Sequence, residues 1–153
     1  RVRRYGGHCS VAIADVDFFK HYNDRLGHLA GDQALRELAD VMRRELRLHD
    51  MVARFGGEEF SMIMINASKD ESLPILERLR AEVEEHPFRQ RDIQPTGRLT
   101  ISAGLAAFPD DGSTYEEILG RADEALYRAK HAGRNQVCVA GRGDGDGETE
   151  EWT

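Results

Sequence analysis

The stretch that decides the fold is residues 51–65, which read MVARFGGEEFSMIMI. Two apolar-rich arms, Met51 to Arg54 and Phe60 to Ile65, flank Gly56 and Gly57. A two-residue Gly-Gly turn suits a tight hairpin, because glycine adopts positive φ without a steric cost. The stretch therefore predicts two antiparallel strands that are joined at the glycines.

On both sides of this hairpin the chain alternates between strand and helix patterns. Ser10 to Val16 is a short apolar run typical of a buried strand, with Asp15 near its end. Apolar residues recur at helical spacing from Asp32 to near His49. The later part of the chain predicts a helix from Glu71 to His86, a strand from Leu99 to Ala106, a helix from a Ser113–Glu116 capping box to Gly133, and a strand at Val137 and Val139.

This order of elements predicts an α+β fold, an α/β sandwich in which helices flank a mixed sheet. If the first strand and the hairpin are both central in that sheet, Asp15 lies near Glu58. The pattern alone leaves that adjacency as an expectation.

Length and charge limit the classes of function. A chain of 153 residues with 40% hydrophobic residues is sized for one domain with one core. Its net charge of -7 argues against a protein that binds DNA or RNA through broad neutralisation of phosphates. We predict a domain at residues 1–140 and an acidic, glycine-rich tail at 141–153, which can bury too little apolar surface to become ordered.

The sequence also suggests a compartment. Cys9 and Cys138 lie far apart, which favours buried free thiols over a disulfide scaffold. No apolar run reaches the length of a membrane span, and residues 1–4 are not followed by the apolar stretch of a signal peptide. We expect a cytoplasmic domain without membrane contact, in a parent protein that could itself be membrane-anchored.

Two acidic clusters are the candidate residues for a functional site. Asp15-Val16-Asp17 ends a predicted strand, and Glu58-Glu59 follows the Gly-Gly turn. Mg²⁺ prefers oxygen ligands and is usually held by one or two carboxylates together with substrate phosphates. Side by side, the clusters would suit a nucleotide polyphosphate; the alternative is that they are solvated acids at turns.

Three motifs resemble one known family. GGEEF at residues 56–60 looks like the signature of the GGDEF-domain diguanylate cyclases, in the variant with Glu at the third position. It follows DVDFFKHYNDRLGHLAGD at 15–32 and precedes RADEALYRAKHAGRN at 121–135, in the family's order. The resemblance spans residues 8–139. It implies a central, mainly antiparallel five-stranded sheet flanked by helices, similar to nucleotide cyclases and polymerase palm domains.

The resemblance implies a two-metal site for GTP. Asp15, Glu58, Glu59 and the carbonyl of Val16 would hold two Mg²⁺ ions, or Mn²⁺, with Glu58 also the candidate base. Asp15 and Lys20 would be catalytic beside Glu58. For Asp17 the resemblance leaves two interpretations, a role near the metals or a cap for the next helix.

The resemblance also implies which residues bind the guanine base. Asn23 and Asp32 match the family's guanine-binding positions, and Phe19 matches a residue that lines the pocket. A carboxylate can accept from N1–H and the 2-amino group of guanine, while an amide can address O6 or N7, whereas adenine lacks those donors. Asp32 could equally be the N-cap of the long helix.

The triphosphate would meet basic residues and glycines. Lys20, Lys130 and Arg134 match the family's phosphate-binding positions; without the resemblance, Lys130 and Arg134 would be read as partners of a helix C-terminus. Gly56 and Gly57 would let the backbone approach the nucleotide, or would serve turn geometry alone.

An inhibitory site is implied just before the hairpin. Arg47-Leu48-His49-Asp50 stands where many family members have an RxxD motif, and Arg78 stands where the family has a second arginine. The resemblance implies that cyclic di-GMP, the product, binds there and inhibits the enzyme. The alternative is a surface ion pair one helical turn apart.

The sequence-based hypothesis is a signalling enzyme. It would be a diguanylate cyclase that joins two GTP into cyclic di-GMP, a bacterial second messenger, with release of two pyrophosphates and as a homodimer. The family's usual segment before the first strand is missing, so we expect an N-terminally truncated domain with an upstream sensor in the full-length protein. The alternative is a catalytically weak module that binds GTP or cyclic di-GMP and regulates by contact.

Overall fold

A five-stranded sheet runs through the computed structural model, which describes residues 7–143. The strands are β1 (Cys9–Val16), β2 (Met51–Phe55), β3 (Glu59–Ile65), β4 (Ile101–Phe108) and β5 (Val137–Val139). Their order is β2-β3-β1-β4-β5. All neighbours are antiparallel except β4 and β5, which are parallel. The expectation of a mixed, mainly antiparallel sheet is confirmed.

Four α-helices join these strands. They are α1 (Phe19–Leu26), α2 (His28–Glu45), α3 (Lys69–Glu85) and α4 (Tyr115–His131), with a 3-10 turn at Arg91–Ile93. The long helix α2 begins before Asp32 because Gly27, with φ 93°, separates it from α1 and serves as its N-cap. The alternative that Asp32 caps this helix is therefore wrong. None of the helices within residues 7–143 is both long and apolar enough to cross a lipid bilayer.

The helices cover both faces of the sheet. Ala12, Ala14 and Val16 of β1 belong to the larger core under α1, α2 and α3, whereas Val11 and Ile13 pack with α4. Because successive strand residues face opposite sides, Asp15 shares the α4 face with Val11 and Ile13.

Helix α4 lies directly on β4. A Cβ at Gly104 would overlap the backbone of Ala122 and Leu126, so only glycine lets the helix come this close. The approach brings the last turn of α4 to the end of β1, where Asp15 lies.

Two local details differ from the sequence-based expectation. The hairpin turn has three residues, Gly56 to Glu58, because Phe55 pairs with Glu59, and only Gly56 has positive φ. The capping box of α4 is Thr114 with Glu117 rather than Ser113 with Glu116, since the N-cap lies one residue later.

The two cysteines and the beginning of the expected acidic tail lie near the ends of the described range. Cys9 and Cys138 form no disulfide within residues 7–143, and each is half-buried rather than fully buried. Arg142 donates to Asp70 at 2.6 Å. The remainder of the expected acidic tail, residues 144–153, lies outside the described residues.

Candidate active site

The two acidic clusters meet at one end of the sheet. Asp15 on β1 pairs with Glu59 on β3, and the backbone N–H of Val16 donates to the carbonyl of Glu58 at 3.3 Å. The adjacency expected from the sequence is therefore confirmed. Antiparallel pairing produces it, because the end of β1 faces the beginning of β3.

The carboxylate of Asp15 is buried, at 6% exposure, and only half satisfied. Its Oδ2 contacts Nζ of Lys130, which reaches it from the last turn of α4. Its Oδ1 is buried and has no hydrogen-bond partner among residues 7–143. An unpaired buried oxygen of a carboxylate is costly, so this end of the sheet has capacity for a further positive charge.

Glu58 adds a second acid whose ionisation is disfavoured. Burial raises its pKa, and the negative charges of Asp15 and Glu59 raise it further. A cation placed between the acids would remove that penalty.

These observations fit a divalent metal whose ligands come partly from the protein and partly from a bound substrate. Within the described residues no group of three or more His, Cys, Asp or Glu side chains converges as a ready-made ligand set. Mg²⁺ typically takes one or two carboxylates plus substrate phosphates, so the buried oxygen of Asp15 beside Glu58 is a suitable protein half of such a site.

The hairpin turn leaves open space beside this end of the sheet. A Cβ at Gly57 would meet nothing within 4 Å, and one at Gly56 would meet only Oε1 of Glu59 at 3.6 Å. Nε of Arg54 donates to the carbonyl of Gly57 at 3.1 Å and fixes the turn. Gly56 is required by its φ of 67°, while both glycines keep the space clear.

The start of α1 offers backbone donors at the same end. Its N-cap is Phe18, with φ 56°, and no side chain caps the helix among the described residues. The first backbone N–H groups of a helix have no internal partner and favour anions. The sequence did not predict this donor set, since a cap by Asp17 was one of the two interpretations left open for that residue.

Asp17 instead joins distant parts of the chain. Ser102 Oγ donates to its Oδ1 at 2.7 Å, and Thr100 Oγ1 and the N–H of Asn135 donate to its Oδ2 at 2.8 and 3.1 Å. The interpretation of Asp17 as a helix cap is therefore wrong. Both of its oxygens are engaged in holding β4 and the loop after α4 against the end of β1.

The basic side chain of Arg134 is positioned by this arrangement. Its guanidinium lies 4.7 Å from the ring centroid of Phe18, and it donates to the carbonyl of Lys130 at 3.2 Å. Gln94, which is buried, donates to the carbonyl of Phe18 at 3.2 Å. The sequence predicted neither the contact of Phe18 nor that of Gln94, and residues 88–98, which contain Gln94, were interpreted as a polar loop.

The candidate base readers lie around α1 and α2. Asn23 is half-buried on α1, with Oδ1 unpartnered among residues 7–143, and Asp32 is exposed on α2. Phe19 is buried and stacked with Tyr22 at a centroid distance of 6.3 Å. Lys20 is exposed and donates to Asp24 at 2.8 Å, so it points along α1 in this structure.

The RxxD residues form a closed pair. Arg47 donates through Nε and a terminal nitrogen to the two oxygens of Asp50, at 2.9 and 3.0 Å, and to the carbonyl of Ile65 at 2.6 Å. Burial of Asp50 opposes its ionisation, but hydrogen bonds from Arg47 and from the N–H of Ile65 outweigh this and lower its pKa. Arg78 contacts a different acid and donates to Glu45 at 2.8 Å.

A surface groove of about 680 Å³ lies beside this pair. Its lining includes Arg43, Leu48 and Met51 as well as the pair itself. Leu48 is almost completely exposed. The groove thus combines an arginine face with apolar surface.

Solved diguanylate cyclase domains have the same fold. The active GGEEF domain of a diguanylate cyclase from Vibrio cholerae gives a TM-score of 0.84 at 31% identity, over 92% of this chain and 87% of that one. The GGDEF domain of DgcB from Caulobacter crescentus, in complex with c-di-GMP, gives 0.82 at 36% identity, over 91% and 81%. The fold is therefore that of the diguanylate cyclase domains.

Sequence comparison agrees with this class. The sequence profile of the family "Diguanylate cyclase, GGDEF domain" matches residues 1–136. The diguanylate cyclase DgcP of Pseudomonas aeruginosa is 44% identical over 140 residues, which are 92% of this chain and 20% of DgcP. The chain belongs to the GGDEF-domain family. It spans about a fifth to a third of the length of the curated relatives it matches.

Proposed function

We propose that this chain is the cyclase domain of a signalling protein and condenses two GTP into cyclic di-GMP with release of two pyrophosphates. The observation that carries the proposal is the half-satisfied carboxylate of Asp15, buried beside Glu58 at an open glycine turn. The ion pair with Lys130 accounts for Oδ2 of Asp15 but leaves the buried Oδ1 without a partner among residues 7–143.

Each condensation step is a nucleotidyl transfer. The 3′-oxygen of one GTP attacks the α-phosphorus of the other, the bond from that phosphorus to the bridging oxygen breaks, and pyrophosphate leaves with the electron pair. The 3′-hydroxyl proton must also be removed. Glu58 is the group we propose to accept it, because its carboxylate lies beside Asp15 at the same end of the sheet.

Asp15, Glu58 and the carbonyl of Val16, with Glu59 nearby, are the groups we propose for Mg²⁺ or Mn²⁺. Bound there, the metal would supply positive charge that stabilises an ionised 3′-hydroxyl and the triphosphate oxygens. Lys130 would then leave Asp15 and contact the phosphates.

The remaining contacts divide between phosphate and base. Lys130, Arg134 and the backbone N–H groups at the start of α1 converge on the end of the sheet, and Lys20 could join them by leaving Asp24. Asn23 and Asp32, with Phe19 beneath, form the proposed guanine pocket. Gly56 and Gly57 would lie against the nucleotide.

Catalysis by this arrangement requires two copies of the domain. Residues 7–143 hold one such set of acids and one phosphate-binding region, which implies one GTP for each domain. A two-fold pair would then present each 3′-hydroxyl to the opposite α-phosphate. We therefore propose a homodimer as the active unit.

Regulation is proposed at two levels. Cyclic di-GMP would bind in the groove beside Arg47 and Asp50, stacking guanine on the arginine face, with Arg78 as a second contact. An upstream sensor in the full-length protein is proposed to control pairing of a domain at residues 1–140. GTP is a cytoplasmic substrate, so the domain would face the cytoplasm.

The test is to incubate the purified chain with GTP and Mg²⁺ over a range of protein concentrations and to identify products by mass. We expect cyclic di-GMP, formed at a rate that rises faster than linearly with protein. Glu58→Gln is the matched inactive control. Binding of GTP without product, in both this chain and a longer form that includes the upstream segment, would contradict the cyclase and favour the regulatory binding module.

A further inference from the structure

We infer that Gly31 determines base specificity, because the absence of a Cβ at this position fixes the orientation of the Asn23 amide. The inference rests on the proposed guanine pocket and deepens it. Gly31 itself would touch no nucleotide. Its effect would pass entirely through the side chain of Asn23.

The contact between the two residues is direct. Gly31 is the fourth residue of α2 and is buried against α1. A Cβ built on it would overlap Oδ1 of Asn23, and would lie 2.9 Å from Cγ of Asn23 and 3.1 Å from Cζ of Phe19. The hydrogen that a Cβ would replace therefore points at Oδ1, in the geometry of a weak C–H···O contact.

Asn23 would be the group to move if a Cβ were added. Phe19 is buried in the core and stacked with Tyr22, and the hydroxyl of Tyr22 donates to the carbonyl of Arg89 at 2.7 Å. This packing leaves Phe19 little freedom to shift. The short side chain of Asn23 is half-buried and can rotate about χ1.

The contact also decides which end of the amide faces a ligand. Oδ1 of Asn23 is buried against Gly31 and has no hydrogen-bond partner among residues 7–143. The NH₂ group is therefore the end that faces outward. An outward donor suits O6 of guanine, whereas adenine presents an amino group there, which is itself a donor.

A glycine in a helix otherwise has a cost. Alanine is favoured over glycine at a helical position, so Gly31→Ala should leave the helix at least as stable if Asn23 can rotate away. Gly120 offers a matched control, because it is also helical, is exposed, and a Cβ there would meet nothing within 4 Å.

The experiment measures binding of α,β-methylene analogues of GTP and ATP to the 153-residue chain by calorimetry, with unfolding followed in parallel. For Gly31→Ala we expect GTP analogue binding to weaken about tenfold, the loss of one hydrogen bond, with ATP analogue binding unchanged. The Tm should stay the same or rise by about 2–4 °C. Gly120→Ala should change the Tm similarly and leave both affinities unchanged.

Two further variants keep the test decisive. Asn23→Ala should reproduce the loss of preference, and the double variant should bind no worse than Asn23→Ala alone, since both act through one amide. If Gly31→Ala fails to fold, the double variant must restore folding, because it removes the overlapping group.

The outcomes separate the inference from the function on which it rests. An unchanged ratio of GTP to ATP affinity in a folded Gly31→Ala, or a double variant that still fails to fold, would overturn the role of Gly31 alone. A wild-type chain that prefers neither analogue would overturn the guanine pocket and the inference together.

Discussion

Lys130 contacts the carboxylate of Asp15 across the gap between α4 and β1 and stands where a bound cation would relieve the same charge. The side chain of Asp15 is buried, whereas that of Lys130 is about one-third exposed. Lys130 can therefore leave, but Asp15 cannot follow it into water. The pair thus places a positive charge beside the buried acid before any ligand arrives.

Removal of Lys130 should weaken the fold in the absence of ligand. Lys130→Ala leaves a buried carboxylate without its partner, and we expect a loss of about 1–3 kcal/mol of unfolding free energy. Urea unfolding measures it, and added Mg²⁺ should raise the Tm more in this variant than in the wild type. Arg121→Ala, which loses only an exposed pair with Glu124, should cost less than about 0.5 kcal/mol. Equal effects of the two substitutions would contradict this account of Asp15.

At neutral pH, Glu58 should lower the stability of the fold while it supports turnover. Its pKa is raised on folding, so the stability that it contributes is present below its unfolded pKa and is lost as pH rises through the folded value. Glu58→Gln should therefore unfold at a higher temperature than the wild type at pH 7, but not at pH 4. Turnover at pH 7 should fall by about 10²–10⁴-fold. The Tm of both proteins, measured between pH 4 and 8, checks the sign; parallel curves would refute it.

Asp17 should be required for the phosphate region rather than for metal binding. Asp17→Asn replaces one acceptor oxygen by a donor among Thr100, Ser102 and Asn135, and should cost about 1–3 kcal/mol. Under conditions where the variant stays folded, KM for GTP should rise, while the Mg²⁺ concentration for half-maximal rate should stay unchanged. Asp110→Asn, at an exposed acid, is the control. A change in the Mg²⁺ concentration for half-maximal rate without a change in KM would contradict this prediction and support a role of Asp17 in metal binding.

The Arg47–Asp50 pair should stabilise the free domain as well as bind product. The pKa of Asp50 is lowered on folding, so its contribution is present above the ordinary Asp pKa and is lost as pH falls through the folded value. Arg47→Ala should thus lower the unfolding free energy by about 1–3 kcal/mol at pH 7, and less in acid.

The same variant tests the inhibitory site. Arg47→Ala should remove inhibition by added cyclic di-GMP, measured as initial rate against product concentration. As the control for the stability measurement on Arg47→Ala, Arg43→Ala breaks an exposed 3.4 Å pair with Asp40 and should lower the unfolding free energy much less. Inhibition that persists in Arg47→Ala would place the product elsewhere.

The sequence predicts the acidic end of the sheet because its signals are local. Gly56 and Gly57 mark the hairpin, the apolar run before Asp15 marks a central strand, and antiparallel pairing of these segments brings Asp15 to Glu59. Each step uses residues that are neighbours along the chain or along one strand.

Other features depend on contacts that no local pattern reveals. Asp17 contacts Ser102 and Asn135, which are 85 and 118 residues away, so its own neighbourhood suggested a role near the metals or a helix cap but not this network. A partial signal existed, because Thr100 directly before β4 and Ser102 within it are polar residues two positions apart in an otherwise apolar stretch. The start of α2 was misplaced for a related reason: Asp32 is a good N-cap, but Gly27 already ends α1 one residue before α2 begins.

The long-range hydrogen bond from Asn135 to Asp17 has a consequence for biosynthesis. The ribosome makes the strand with Asp15 before the rest of the sheet, yet β4 and the loop after α4, which complete its surroundings, come from residues 101–108 and 133–136. A nascent chain that has emerged only as far as the hairpin carries the signature acids without Lys130 or the loop. Nucleotide binding should therefore begin only when translation of the domain is nearly complete.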